Sequence, residues 1–241
     1  NSDRRAPNAV KEFAKDNPHR MGEWVENSKT HVATMEAGDF RSNEKSTTVS
    51  GRNAGHVHIE FVDRSGSAKV LKDNLELSEG AVIDSTKMSI TALRSFLESQ
   101  VMEAKDQGVL FSLHLKATMM KVADPIIFGQ AVSVFFKNVF DKHRTVFEEL
   151  GVDPNFGLVD LEAKLELLPA NKRSEILADI KACLEAGPKL YMVNSDRGIT
   201  NLHVSSDTII DASMPALIRG GGKAWGPDGK EADCKCVIPD S

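Results

Sequence analysis

The chain has 241 residues, of which 41% are hydrophobic and 27% charged, and this composition is ordinary for a globular protein with a substantial core. The net charge of -5 and the pI of about 5.8 argue against a general nucleic-acid binder, which would usually carry a basic face. No apolar run approaches the roughly 20 residues of a membrane span, so no membrane association is expected.

A short helix is predicted over 7–16, because a proline suits the first helical turn and Val10, Phe13 and Ala14 recur at helical spacing. We expect these three side chains to face inward. Arg4 lies in the loop before the helix. Arginine binds carboxylates through two hydrogen bonds, so Arg4 could hold an acidic substrate, although a solvated loop arginine is the more common case.

The pattern turns to strands in the region 44–77, which we interpret as a small antiparallel part of the fold. A hairpin turn is predicted at 64–66. His56 and His58 share one strand face, which can suit a metal, but such histidines more often decorate an exposed face, and we prefer that interpretation. The three predicted strands cover 46–49, 56–62 and 68–71.

A β-α-β unit is predicted next, with a short strand over 80–84, a helix from Ser89 to Gly108 and a buried strand over 109–115. The helix carries an apolar stripe at i, i+3, i+4 spacing. Such a unit indicates a mainly parallel α/β sheet with flanking helices. The stripe consists of Leu93, Phe96, Leu97, Val101 and Ala104.

Lys116 follows directly after the carboxyl end of the buried strand, where open α/β sheets bind their ligands. A lysine at this position is a candidate acid/base group or anion clamp, because its pKa shifts readily when it is partly desolvated. The alternative, a surface lysine in a loop between strand and helix, stays open on pattern alone.

Three helices are predicted after this loop, over 125–143 with Asp124 as its cap, over 158–168 and over 171–186. The aromatic face of the first helix is typical of core rather than of a cofactor site. A strand is predicted over 189–193. The expected buried residues are Phe128, Val132, Phe135, Phe136 and Val139 in the first helix, and Ile176, Leu177, Ile180 and Leu184 in the third.

Asp207 and Asp211 are four residues apart and separated by Thr-Ile-Ile. If the segment is a strand, both carboxylates lie on one face, and a buried carboxylate pair would need a cation such as Mg²⁺ or Mn²⁺. In the alternative, Asp207 starts a strand and Asp211 caps a following helix. The pattern does not decide between them.

Two further motifs are weaker. The three cysteines, Cys183, Cys234 and Cys236, are an odd count without a secretory signal, which predicts reduced thiols in a cytoplasmic protein. The Cys-x-Cys pair lacks a second ligand pair nearby, so zinc is not expected there. The Gly-Gly-Gly-Lys stretch at 220–223 lacks the spacing and the hydroxyl residue of a phosphate-binding loop.

Four long motifs together resemble the monomeric NADP-dependent isocitrate dehydrogenases of bacteria, and the likeness extends over essentially the whole chain. The resemblance implies an enzyme that oxidises isocitrate with NADP and a divalent ion, Mg²⁺ or Mn²⁺, to 2-oxoglutarate and carbon dioxide. It also implies a parent protein that works as a monomer and a fold of the isocitrate/isopropylmalate dehydrogenase type. The motifs are NSDRRAP at 1–7, SKTHVATM at 28–35, LHLKATMMKVADPIIFG at 113–129 and GITNLHVSSDTIIDASMPALIR at 198–219.

The resemblance also implies roles for individual residues. Arg4 matches a substrate-binding arginine, Lys116 matches the catalytic lysine that also contacts the substrate, and Asp211 matches a metal-binding aspartate. Asp207 is a further candidate carboxylate for the metal. Tyr191, the only tyrosine, does not match the family's catalytic tyrosine and is expected to be structural.

The resemblance further implies that residues 1–241 are part of the large substrate- and metal-binding domain, with the strand region 44–77 and an α/β core over 80–241. The other substrate residues would precede this chain, and the second metal aspartate and the NADP contacts would follow it. No cofactor-binding residue is therefore expected here, and the chain alone is expected to be inactive. The alternative function is a non-catalytic module that binds a small acid or a metal.

Overall fold

The structure is a computed structural model that describes residues 6–18, 21–116 and 123–240. It divides into two units, one formed by the described parts of Asn1–Met35 and Ile90–Ser241 and the other by Glu36–Ser89. The helices are α1 Asn8–Asp16, α2 Ile90–Gln107, α3 Asp124–Phe135, α4 Lys137–Lys142, α5 Arg144–Leu150, α6 Leu158–Leu165, α7 Ala170–Ala186 and α8 Ile210–Arg219. The strands are β1 His31–Ala33, β2 Lys45–Thr48, β3 Gly55–Val62, β4 Ala68–Leu77, β5 Val82–Ser85, β6 Leu110–Leu113, β7 Met192–Asn194, β8 Ile199–Thr200, β9 Lys223–Trp225 and β10 Glu231–Val237.

The largest sheet has the order β1-β10-β6, and all three strands are parallel. β9 adds an antiparallel neighbour to β10. The fold is therefore mixed α/β, as expected, but parallel pairing is limited to β1, β10 and β6 and does not extend through a long sheet. β1 and β6 have only three and four residues, and the remaining strand pairs are antiparallel.

The core of the larger unit surrounds β6, whose four residues are all buried. α2 packs on this side with Leu93, Leu97 and Ala104 buried, as its apolar stripe predicts. The predicted helix over 125–143 is instead two helices, α3 and α4, because the backbone leaves helical geometry at Phe136, and a further break at His143 separates α4 from α5. Its aromatic face is nevertheless core. The buried residues of that face are Phe128, Val132, Phe135, Phe136 and Val139.

The unit Glu36–Ser89 is built from two antiparallel pairs, β2 with β5 and β3 with β4. The predicted hairpin turn lies between the latter two. The predicted β-α-β unit is wrong, because β5 pairs with β2 here rather than with β6. All four residues of β5 are exposed, whereas strands of a covered parallel sheet are continuously apolar and buried.

Two helical faces also differ from expectation. No residue of α1 is buried, and Phe13 is 68% exposed, so its apolar stripe does not face inward within the described structure. In α7 only Ile176 and Ile180 are buried, while Leu177 and Leu184 are exposed. Among the described residues, no helix is long and apolar enough to cross a bilayer.

Candidate functional site

The carboxyl end of β6 is joined to the start of α8 by backbone hydrogen bonds. Leu115 N donates to Thr208 O over 2.7 Å, and Ile210 N donates to Leu115 O over 2.7 Å. These two bonds form a parallel bridge between Leu115 and Ile209. Lys116 follows Leu115, and Asp211 follows Ile210. Because the two hydrogen bonds hold these segments together, Lys116 and Asp211 lie side by side.

Lys116 and Asp211 form an ion pair in which Nζ donates to both carboxylate oxygens. The two residues are 95 positions apart in the sequence, so the fold brings them together. The side chains are 39% and 51% exposed. Since exposed ion pairs contribute little to stability, about 0–1 kcal/mol, this pair has little structural value and stays accessible to a ligand.

A buried histidine, His114, helps to hold the start of α8 against the end of β6. His114 Nε2 lies 2.7 Å from Ser112 Oγ, and its Nδ1 lies 2.8 Å from Ser213 Oγ on the first turns of α8. The Ser213 hydroxyl donates its own proton to Ile209 O, so it accepts from His114, and this assigns the ring proton to Nδ1. His114 thereby ties α8 to the end of β6.

Asn201 makes a second connection to the same strand end. Its Nδ2 donates to Leu113 O over 2.9 Å and lies 3.3 Å from Ser112 Oγ. Sequence reasoning missed His114, Asn201 and Ser213 as supports of the site. The one available signal was the presence of polar residues inside otherwise apolar segments, since buried polar groups need hydrogen-bond partners.

Asp207 lies in a 3-10 helix, Ser205–Thr208, and Asp211 in the first turn of α8. The strand that would align their carboxylates does not form, and the alternative of a helix starting at Asp211 is closer to the structure. Within the described residues, no hydrogen bond or ion pair joins Asp207 to Asp211 or Lys116. The two carboxylates are therefore not shown to share one face.

Asp207 instead lines a cavity of about 390 Å³ together with Glu162, Arg197 and His203. Burial raises the pKa of the Asp207 carboxyl above its ordinary value, and the nearby His203 opposes that rise. A carboxyl group in this state is easier to protonate than a solvated one. Its environment differs from that of the exposed Asp211.

Arg4 lies outside the described residues. His56 and His58 are exposed on β3, as expected, and His58 Nε2 is 3.7 Å from a Glu60 carboxylate oxygen. The cysteines are free thiols, and Tyr191 packs partly buried against the core around Leu110, which suits a structural residue.

The donor chemistry at Asp211 fits a hard divalent cation. Its two carboxylate oxygens already face a positive charge, the Lys116 ammonium, and they are reachable from solvent. Oxygen ligands of this kind are preferred by Mg²⁺ and Mn²⁺. Asp211 can therefore supply one or two of the ligand oxygens that such an ion needs.

Comparison with known proteins agrees with the resemblance of the motifs. The family model described as monomeric isocitrate dehydrogenase matches residues 1–241. Isocitrate dehydrogenase (NADP) 2 of Colwellia maris and isocitrate dehydrogenase (NADP) of Azotobacter vinelandii are each 54% identical over 240 residues. Isocitrate dehydrogenase (NADP) 2 of Mycobacterium tuberculosis is 54% identical over 241 residues. Each match covers 100% of this chain but 32% of the relative, so the chain spans about a third of these curated relatives.

Proposed function

Because the chain belongs to the monomeric isocitrate dehydrogenase family, we propose that the longer protein containing it oxidises and decarboxylates isocitrate with NADP and Mg²⁺ or Mn²⁺. The observation that carries the proposal is the ion pair between Lys116 and Asp211 at the carboxyl end of β6. It brings a proton-transferring group next to an oxygen ligand for a cation. Both are needed when a secondary alcohol next to a carboxylate is oxidised.

When bound, NADP would supply the hydride acceptor of the proposed reaction, and the divalent ion, held in part by Asp211, would supply a Lewis acid for the substrate oxygens. Lys116 Nζ removes the proton of the substrate hydroxyl as the hydride leaves. Arg4 would bind a substrate carboxylate.

We also propose Asp207 as an additional carboxylate near the metal, because it lies in the 3-10 turn directly before α8. The residues 1–241 would form part of the large domain of a monomeric, cytoplasmic protein with the isocitrate/isopropylmalate dehydrogenase type of fold. The free thiols support a reducing compartment. The short parallel sheet β1-β10-β6 supports membership in an α/β fold of that kind.

The test is NADPH formation by the longer protein with isocitrate and Mn²⁺, comparing the wild type with Lys116→Met. We expect the variant to lose about 10²–10⁴-fold in kcat, the usual contribution of a general acid–base group, while its fold is retained. Equal activity of both proteins would remove Lys116 from catalysis. Inactivity of the wild type would instead favour the non-catalytic binding module.

Asp211→Asn separates metal binding from proton transfer. Because the substitution removes the negative charge but keeps one oxygen ligand, we expect a higher Mn²⁺ concentration for half-maximal rate, with a partial recovery of rate at high Mn²⁺. Lys116→Met should not recover in this way. If the Mn²⁺ dependence of Asp211→Asn matched the wild type, Asp211 would not be a metal ligand.

A further inference from the structure

A second group of cation-binding side chains lies where α7 meets the junction of α4 and α5. His143 separates α4 from α5, and its Nε2 lies 2.6 Å from Oδ2 of Asp179 on α7. Glu175 is four residues before Asp179, so both carboxylates share one helix face. One ligand atom from each of the three residues lies within 4.8 Å of the others.

The histidine of this group is held firmly in place. The His143 side chain is only 1% exposed, and its ring lies 6.0 Å from the ring of Phe147. Burial fixes the ring so that Nε2 points at the carboxylates of α7. A fixed imidazole costs little conformational entropy when it binds a metal, which favours binding.

Lys142 already places a positive charge between the two carboxylates. Its Nζ lies 2.7 Å from Asp179 Oδ2 and 3.4 Å from Glu175 Oε1. The Lys142 side chain is 52% exposed, so its ammonium can leave for solvent without disturbing the core. The position between the two carboxylates therefore favours a cation. Lys142 occupies it, and its ammonium can be displaced by another cation.

We propose that His143, Glu175 and Asp179 bind a divalent transition-metal ion, with Zn²⁺ as the expected example, in exchange for the Lys142 ammonium, and that the proton which His143 Nε2 donates to Asp179 leaves that nitrogen for water. One imidazole nitrogen and two carboxylates suit Zn²⁺, whereas Mg²⁺ prefers oxygen ligands alone. Three protein ligands leave a fourth position for water. The site shares no residue with Lys116 and Asp211, and its ion would link α7 to the α4–α5 junction.

The test is a Zn²⁺ titration of the longer protein against a chromophoric chelator, with Mg²⁺ and isocitrate saturating so that the substrate-associated metal position is filled. We expect one additional Zn²⁺ per chain. Glu175→Gln and Asp179→Asn should each weaken that binding about tenfold or more. Lys142→Met should strengthen it severalfold, because the competing ammonium is gone, and a structural ion pair alone would not give this result.

Asp141→Asn is the matched control. Asp141 is an exposed carboxylate on α4 that pairs with Lys137 and Arg144 outside the group, so its loss should leave the Zn²⁺ affinity unchanged. Co²⁺ gives a second measurement, since its visible absorption reports a nitrogen ligand and a low coordination number. Glu175 is 44% exposed, so Glu175→Gln should fold normally.

The proposal is overturned if no additional Zn²⁺ binds, or if the extra ion binds equally well to Glu175→Gln, Asp179→Asn and the wild type. It is also overturned if Lys142→Met binds Zn²⁺ no more tightly than the wild type. NADPH formation, measured on the same samples without Zn²⁺, tests the proposed enzyme separately. Failure of one proposal therefore leaves the result for the other intact.

Discussion

The ammonium of Lys235 lies 2.6 Å from the carboxylate of Glu103 and connects the central strand β10 to α2. The Lys235 side chain is 2% exposed, whereas that of Glu103 is 51% exposed. A lysine is therefore buried in the middle of the parallel sheet with its charge directed to the edge of the core. A buried charge is tolerated only when it is paired, so Glu103 permits this lysine.

Glu103→Gln should loosen β10, because it leaves the buried ammonium without its charged partner. Removal of one partner of a buried pair costs about 3–5 kcal/mol, and the exposure of Glu103 reduces this to about 1–3 kcal/mol. Native-state hydrogen exchange of the β10 amides in the longer protein measures the change. Lys235→Met, which removes the charge itself, should alter protection much less, and equal losses in both variants would contradict this account.

Gly222→Ala should destabilise the end of α8 more than an ordinary glycine substitution. Gly222 has a φ of 77°, and an added Cβ would lie 2.6 Å from the Trp24 ring, whose Nε1 donates to Ile218 O. Strain and overlap together should cost about 2–4 kcal/mol. The measurement is the thermal unfolding midpoint of the longer protein, followed by tryptophan fluorescence.

Gly229→Ala is the control for this prediction. Gly229 has a similar φ of 68°, but nothing lies within 4 Å of an added Cβ there. It should therefore show the backbone strain alone, about 1–2 kcal/mol. If the two variants lose the same stability, the contact with Trp24 is not what requires glycine at position 222.

The sequence predicts the parts of this fold that depend on local pattern. The continuous apolar run around β6 and the aromatic face of α3 and α4 are both buried, as periodicity indicates. The resemblance of the motifs indicates the family, and the match of the family model over residues 1–241 confirms it. The position of Lys116 directly after a buried strand makes it a candidate from local sequence alone. This inference does not require Asp211, its partner 95 positions away.

The failures concern relations between distant segments. The strand β5 looked like the first half of a β-α-β unit, but its partner is β2, and pairing is a tertiary choice that local pattern does not encode. The breaks at Phe136 and His143 arise without glycine or proline, so no breaker signals them. The approach of Asp211 to Lys116 depends on two backbone hydrogen bonds at Leu115.

Asp39→Asn should reduce the stability of the unit Glu36–Ser89 at neutral pH but not in acid. Asp39 is 2% exposed, and hydrogen bonds from Ser42, whose backbone N donates to Oδ1 over 3.1 Å, hold the pKa of its carboxyl below the ordinary value despite burial. A lowered folded-state pKa stabilises the fold above the unfolded pKa of about 3.9. That contribution disappears as the pH falls through the folded value.

The measurement is chemical denaturation of the longer protein at a series of pH values between 3 and 7. The difference between wild type and Asp39→Asn should be constant down to about pH 5 and shrink below about pH 4. Ser42→Ala should weaken this dependence only in part, because it removes the Ser42 hydroxyl beside Asp39 but keeps the backbone N–H that donates to Oδ1. A difference that grows as the pH falls would have the wrong sign and would exclude this role for Asp39.

The chain 1–241 produced alone should form no NADPH from isocitrate and NADP. A divalent ion needs about six oxygen ligands, and the described residues bring only Asp211 to Lys116. The assay is absorbance of NADPH with Mn²⁺ at saturation, with circular dichroism as the control that the chain is folded. Calorimetry on the same sample asks whether isocitrate still binds when Mn²⁺ is added. Binding without turnover would show that Lys116 and Asp211 form a partial site, whereas measurable NADPH would mean that catalysis needs no residue outside these 241.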